Sequence, residues 1–207
     1  MMRNSTVDAN RMLSFKQSGF DIIDDCASSN SAEQVYNAFL GANWDQTHVQ
    51  ERPDHYKHVF KFTDPNLPKA DECYKASFKR SSELEANSTI QGFIKDWLVP
   101  SLENYVSSSI KKVDTRCIAM HAGGFMRAHV DDYAGAAGFI FYVNKRWCSD
   151  WGGLLAIKDG ENLRVFSPQF NRLIVIGHKQ SRLPHFVTQV ADYALEERFA
   201  ITGFCEI

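Results

Sequence analysis

The sequence predicts a mainly β domain with supporting α-helices, an antiparallel sandwich or double-sheet jelly roll packed by N-terminal helices. Three observations carry this. After Lys112, eight short runs rich in β-branched and aromatic residues follow one another, each bounded by Gly, Pro, Asn or Asp. Helical patterns come before these runs and none alternates with them, which argues against a parallel βαβ sheet. The 207 residues are 44% hydrophobic and 13% aromatic, enough to bury a sizeable core without staples and too apolar for a disordered chain.

The elements follow in order. Residues 1–19 are polar at the start and read as a loose N-terminus. Phe20-Asp21-Ile22-Ile23 reads as a short strand. Ser31-Ala32-Glu33-Gln34 fits a capping box, with Val35, Tyr36, Phe39 and Leu40 supplying the helical face behind it. Trp44 to Thr63 reads as extended segments, and Asp64-Pro65-Asn66-Leu67-Pro68 as a loop. Ile90, Phe93, Ile94, Trp97, Leu98, Leu102 and Tyr105 recur at helical spacing, with Pro100 set to kink or restart the helix. The eight strand runs are Thr115–Met120, Ala128–Asp131, Gly138–Asn144, Gly153–Ile157, Leu163–Phe166, Leu173–Ile176, His185–Val190 and Arg198–Phe204. The expected organisation is one domain over 1–207, in which 20–113 form a helical and extended support and 114–207 the barrel.

Charge and cysteine usage narrow the function class. With 23 basic and 25 acidic residues the net charge is −2, so no basic field is on offer to a phosphate backbone. The longest apolar run, Ala136 to Val143, is too short for a bilayer. No secretory signal opens the chain, and its five cysteines form no C-x-x-C pair. Reduced thiols and a cytoplasmic protein are expected, without nucleic-acid or membrane partners.

His129-Val130-Asp131 is the first candidate for chemistry. On a strand, positions i and i+2 share a face, so the imidazole and the carboxylate converge. Alone, the pair reads as a surface histidine beside a solvated aspartate. His185 opens a later strand and offers a third ligand. Two imidazoles and one carboxylate on one side of a cation leave positions open, an arrangement suited to non-haem Fe(II). Arg198 opens the apolar strand Phe199–Phe204. Inside a barrel mouth its charge is costly unless an anion meets it.

Five segments together resemble the 2-oxoglutarate- and Fe(II)-dependent dioxygenases, in particular their prolyl 4-hydroxylase-like branch. They are Gly123-Gly124-Phe125-Met126-Arg127-Ala128-His129-Val130-Asp131, Phe141-Tyr142-Val143-Asn144-Lys145-Arg146-Trp147, Trp151-Gly152-Gly153-Leu154-Leu155, Pro168-x-x-Asn171-Arg172-Leu173, and Pro184-His185-x-Val187 with Arg198–Phe204. They stand in the family's order over Asp114 to Phe204.

The resemblance implies a double-stranded β-helix and roles for named residues. His129, Asp131 and His185 would bind iron. Arg198 and the Tyr142 hydroxyl would take the distal carboxylate of 2-oxoglutarate, with Ile140 on the face of Tyr142 and Leu155 and Val187 as apolar walls. His121 stands where relatives often carry a pocket tyrosine, with contact to cosubstrate, substrate or neither left open. Fe(II), 2-oxoglutarate and O2 would be required, with ascorbate as an accompanying reductant. The implied reaction is hydroxylation of an unactivated C–H bond, of a prolyl residue in a protein or peptide or of a free amino acid; the carboxylate of Asp131 sets it apart from halogenating relatives. The competing readings are a cupin-like metal-binding protein with a non-oxidative or sensory role, and an inactive scaffold. The His185-to-Arg198 interval is longer than in close relatives, with Asp192–Glu197 as an extended hairpin tip and Arg182 as the competing arginine. His48, His55, His58 and His178 read as solvated, and Trp147 and Trp151 as core or rim packing.

Overall fold

The computed structural model describes residues 9–52, 74–131, 136–177 and 183–207. Its strands are β1 (Phe20–Ile23), β2 (His48–Arg52), β3 (Tyr74–Arg80), β4 (Lys112–Met120), β5 (Phe125–His129), β6 (Ala137–Tyr142), β7 (Leu155–Asp159), β8 (Asn162–Phe166), β9 (Arg172–Gly177), β10 (His185–Val187) and β11 (Arg198–Glu206). They form one curled sheet in the order β1-β9-β6-β11-β4-β3-β5-β10-β7-β8, with β2 attached to β3. Every pairing within it is antiparallel. β3 makes the corner: Lys79 and Arg80 pair with β4 on one side of the sandwich, while Ala76 and Ser77 pair with β5 on the other. At the far ends, Phe20 of β1 meets Phe166 of β8 at 5.7 Å between ring centroids. Side chains, rather than a backbone ladder, thus close that edge. This is the jelly roll expected from the sequence.

Period-2 alternation gives the larger side of the sandwich, β1-β9-β6-β11-β4, two faces (this side is the larger sheet below). Cys117, Ala119, Phe139, Phe141, Leu173, Val175, Phe199 and Ile201 pack outward into a core shared with the helices. Their neighbours Ile118, Met120, Tyr142, Ile174, Ile176 and Ala200 point into the barrel. The helices covering the outer face are α1 (Ala9–Ser18), α2 (Ser29–Leu40), α3 (Ser82–Ala86), α4 (Ser88–Phe93) and α5 (Val99–Val106). Ile94–Leu98, between α4 and α5, is a π-helical turn. Pro100 lies in the first turn of α5, where its missing N–H is tolerated, so the widened turn is how the chain passes the proline without breaking.

Three expectations are corrected. The N-terminus is helical over Ala9–Ser18, and this helix is tied to β1 by an Arg11–Asp21 ion pair at 3.1 Å. Tyr105 donates to the same Asp21 carboxylate at 2.6 Å. Helix α2 is capped by Ser28, whose hydroxyl accepts from the Ser31 N–H, so the helix starts one turn before the Ser31 box. Leu40, expected on its buried face, is 59% exposed at the helix end.

The Asn171 motif has a structural role. Asn171 holds a left-handed backbone (φ 60°) in the turn before β9. Its side chain accepts from the Ala27 N–H at 2.9 Å and donates to the Ala27 carbonyl at 2.8 Å, joining that turn to the loop before α2. No helix among the described residues is long and apolar enough to cross a membrane.

Candidate metal and cosubstrate site

β5 and β10 are neighbours, and their register sets His129 opposite His185. The two rings lie 4.3 Å apart. Asp131 follows His129 by two residues, just beyond the end of β5. One of its carboxylate oxygens is 3.4 Å from Nε2 of His129, and the other is 3.5 Å from Nε2 of His185. One donor atom from each residue falls within 4.8 Å of the others.

The imidazole orientations have a backbone cause. Nδ1 of His129 meets the Arg127 carbonyl at 2.8 Å, and Nδ1 of His185 meets the Leu183 carbonyl at 3.0 Å. A carbonyl only accepts, so each Nδ1 carries the proton. Each Nε2 is left with its lone pair directed at the cluster, the tautomer a metal ligand requires. The hard carboxylate and borderline imidazole donors fit a divalent first-row ion such as Fe(II).

Arg198 begins β11 on the barrel-facing side and is only 1% exposed. Its Nε donates to the Gly153 carbonyl at 2.7 Å. One terminal nitrogen lies 3.7 Å from the Met120 sulfur, and the other donates to the Tyr142 hydroxyl at 3.2 Å. Its guanidinium carbon sits 4.9 Å from the centre of the Tyr142 ring. Among the described residues no carboxylate pairs with it. Gly153 makes the approach feasible: it is left-handed (φ 62°), and a Cβ there would come within 2.9 Å of the Arg198 side chain.

Tyr142 is fully buried, and desolvation pushes its phenol pKa up. The phenol therefore keeps its proton. Its oxygen already accepts from Arg198, so the O–H remains as a donor beside a buried cation. That pairing is a cradle for a carboxylate.

Register also places the apolar walls. Leu155 pairs with Val187, and Ile157 pairs with His185. One further step of two residues brings Gly153, whose N–H donates to the Gln189 carbonyl at 3.3 Å. Leu155 and Val187 thus stand between the level of the histidines and that of the guanidinium, about 7 Å along the strand from each. Ile140 packs against the same barrel core.

His121 lies in the turn after β4, next to Met120. Its Nδ1 is buried with no hydrogen-bond partner among the described residues. Trp147 and Trp151 pack edge to face at 5.4 Å, and the Trp147 indole donates to the Gly152 carbonyl. His48 lies on β2, 6.3 Å from the Phe78 ring. His55, His58, His178 and Arg182 lie outside the described residues.

The sequence reading missed β3, and with it Lys79, and gave no role to Asn144, which follows β6; both brace the start of β11. Lys79 pairs with Glu197 at 2.6 Å, and the buried Asn144 side chain bonds to the backbone on both sides of Arg198. Asn144 stood in a quoted motif, but its amide had no visible partner until β6 and β11 were adjacent.

The family model described as the 2OG-Fe(II) oxygenase superfamily matches residues 115–206. The match spans the barrel, from β4 to β11, and marks that part of the chain as an oxygenase of the kind that uses Fe(II), 2-oxoglutarate and O2. Solved structures share the fold. A prolyl-4-hydroxylase from Pseudomonas putida superposes with a TM-score of 0.65 at 12% identity, covering 94% of this chain and 96% of that one. A 2OG-Fe(II) oxygenase family oxidoreductase from Burkholderia pseudomallei gives 0.66 at 12% identity, over 100% and 93%. A prolyl hydroxylase from Trichoplax adhaerens, in complex with a peptide fragment of the hypoxia inducible factor oxygen degradation domain, gives 0.61 at 17% identity, over 94% and 86%. No curated protein sequence matches the chain.

Proposed function

We propose that this dioxygenase hydroxylates an unactivated C–H bond of a prolyl residue in a protein or peptide, or of a free amino acid. His129, Asp131 and His185 hold Fe(II), and Arg198 with Tyr142 holds the distal carboxylate of 2-oxoglutarate. The observation that carries the reading is the pairing of a His-Asp-His cluster with a buried guanidinium that lacks a carboxylate partner among the described residues, in one barrel. A cupin-like protein without a dicarboxylate cosubstrate has no use for that cation, which is costly to bury unmatched. The prolyl assignment is supported by likeness of fold to two prolyl hydroxylases, one of them carrying a peptide.

When bound, Fe(II) supplies the redox chemistry in which O2 delivers one oxygen atom to the substrate C–H bond and the other to succinate, as 2-oxoglutarate loses CO2. The chain's own groups prepare this. Backbone carbonyls of Arg127 and Leu183 fix both imidazoles as Nδ1–H tautomers. Asp131 turns one oxygen to each ring and supplies the negative charge of the set. Arg198 and Tyr142 fix one end of the cosubstrate, and Leu155 and Val187 keep water from its carbon chain. The unpartnered Nδ1 of His121 is available to the cosubstrate or substrate.

The test is succinate release from purified protein with Fe(II), 2-oxoglutarate, O2 and ascorbate, with prolyl peptides and free amino acids as the substrate arms. Wild type should form succinate, faster with the right substrate and with one hydroxylated product per succinate. Asp131→Ala should lower the rate by more than about 100-fold, since even outer-shell changes at metal sites cost up to about that much. No succinate in any arm, with no 2-oxoglutarate binding to the oxygen-free Fe(II) protein, overturns the reading.

A further inference from the structure

We propose that Asn144 is a positioning residue for 2-oxoglutarate: its side-chain amide clips the backbone on both sides of Arg198 and so sets where the guanidinium sits. This inference rests on the assignment of Arg198 to the distal carboxylate.

The geometry is specific. Asn144 is 1% exposed. Its Oδ1 accepts from the Phe199 N–H at 2.7 Å, and its Nδ2 donates to the Glu197 carbonyl at 2.7 Å. The amide orientation is fixed by its partners, because an N–H only donates and a carbonyl only accepts. The paired register of β6 and β11 ends at Tyr142 opposite Ala200. Beyond that point one main-chain bond remains, from the Val143 N–H to the Phe199 carbonyl at 3.4 Å, and Asn144 adds two side-chain rungs that prolong the ladder around Arg198.

Residues 192–197, the long hairpin tip, lead straight into Arg198. The tip is held at further points: Lys79 pairs with Glu197 at 2.6 Å, and Tyr193 donates to the Asp150 carbonyl at 2.8 Å. Asn144 alone among these bonds both neighbours of the arginine. Without it, the start of β11 is held by the pairing of Arg198 to Met120, by the Val143–Phe199 main-chain bond and by the contacts of the arginine head. A guanidinium that must meet a carboxylate in two-pronged fashion tolerates little displacement.

The experiment measures binding of two 2-oxo acids to the oxygen-free Fe(II) protein by calorimetry: 2-oxoglutarate, and pyruvate, which has no distal carboxylate. Asn144→Asp keeps the acceptor for Phe199 but replaces the donor to Glu197 with a charge. It should weaken 2-oxoglutarate about ten- to a hundredfold, the scale of a misplacement of about 1 Å, and leave pyruvate within about twofold. Asn144→Ser, a smaller change, should give the same split should the Asp variant fail to fold. In metal-free protein, Asn144→Ala should speed amide exchange at Phe199 while amides from Ile201 onward stay protected. Unchanged 2-oxoglutarate affinity, or equal weakening of both acids, overturns the inference. Arg198→Ala separates it from its premise. If that variant keeps full 2-oxoglutarate affinity, the assignment and the inference fall together. If it loses affinity and the Asn144 variants do not, the inference alone falls.

Discussion

The two faces of the larger sheet are made by the same strands, one residue apart, yet they have opposite characters. Outward, Phe139, Phe141, Phe199 and Ile201 join Phe39, Phe93 and Leu102 of the helices in a dry core. Inward, Tyr142 and Arg198 place a phenol and an unmatched cation among aliphatic side chains. A stable protein does not need the inward groups. On the proposed function, a ligand rather than the fold completes the environment of this buried guanidinium. If the proposed roles hold, stability and cosubstrate binding fall on alternate residues and should be separable by single substitutions.

The largest expected effect falls on the outward face. Phe141→Ala removes a fully buried ring lying 4.6 Å from that of Phe93 and should cost about 3–5 kcal/mol of folding stability. Urea denaturation checks this, and 2-oxoglutarate affinity of the remaining folded protein should be unchanged. Arg198→Met should do the reverse. It should weaken 2-oxoglutarate by about 2–5 kcal/mol in calorimetry while leaving the stability of the free protein equal or higher, because a buried charge is replaced by an apolar chain. In thermal unfolding with Fe(II), saturating 2-oxoglutarate should raise the midpoint of wild type and not that of the variant. Equal losses of stability in both variants would break the separation of the faces.

The smallest effect lies at the rim. Asp24 pairs with Arg172 at 2.6 Å, and the guanidinium holds its carboxyl below the ordinary value of 3.8. A lowered pKa contributes stability above that value and loses it as pH falls through the folded-state pKa. Asp24→Asn should therefore cost less than about 1 kcal/mol near neutral pH, the scale of a half-exposed pair. The gap from wild type should close in acid, as denaturation curves at both pH values will read out.

The site was legible in the sequence to the extent that its signals were local. His129, His185, Arg198 and Tyr142 sit on strands announced by their runs, and each of the eight expected runs after Lys112 overlaps a strand. The expected run Ala128–Asp131 is corrected: β5 is Phe125–His129 and leaves Val130 and Asp131 outside it. The arrangement of those strands was not local. β3 lies between β4 and β5 although Tyr74–Arg80, with three basic residues in seven, has a weak alternation signal. The helix at Ala9–Ser18 escaped notice because one buried ring, Phe15, and tertiary bonds from Arg11 to the Asp21 carboxylate and the Ile22 carbonyl anchor it, rather than a full apolar stripe. Asn144 looked like a turn residue because its partners, Glu197 and Phe199, are more than fifty positions away.

The carbonyls that steer His129 and His185 belong to the main chain, each two residues upstream of its histidine. Main-chain oxygens are present whatever the side chain. The bond that orients each ring therefore does not depend on which side chain stands at position 127 or 183, and the imidazole orientation is insulated from drift at its own support.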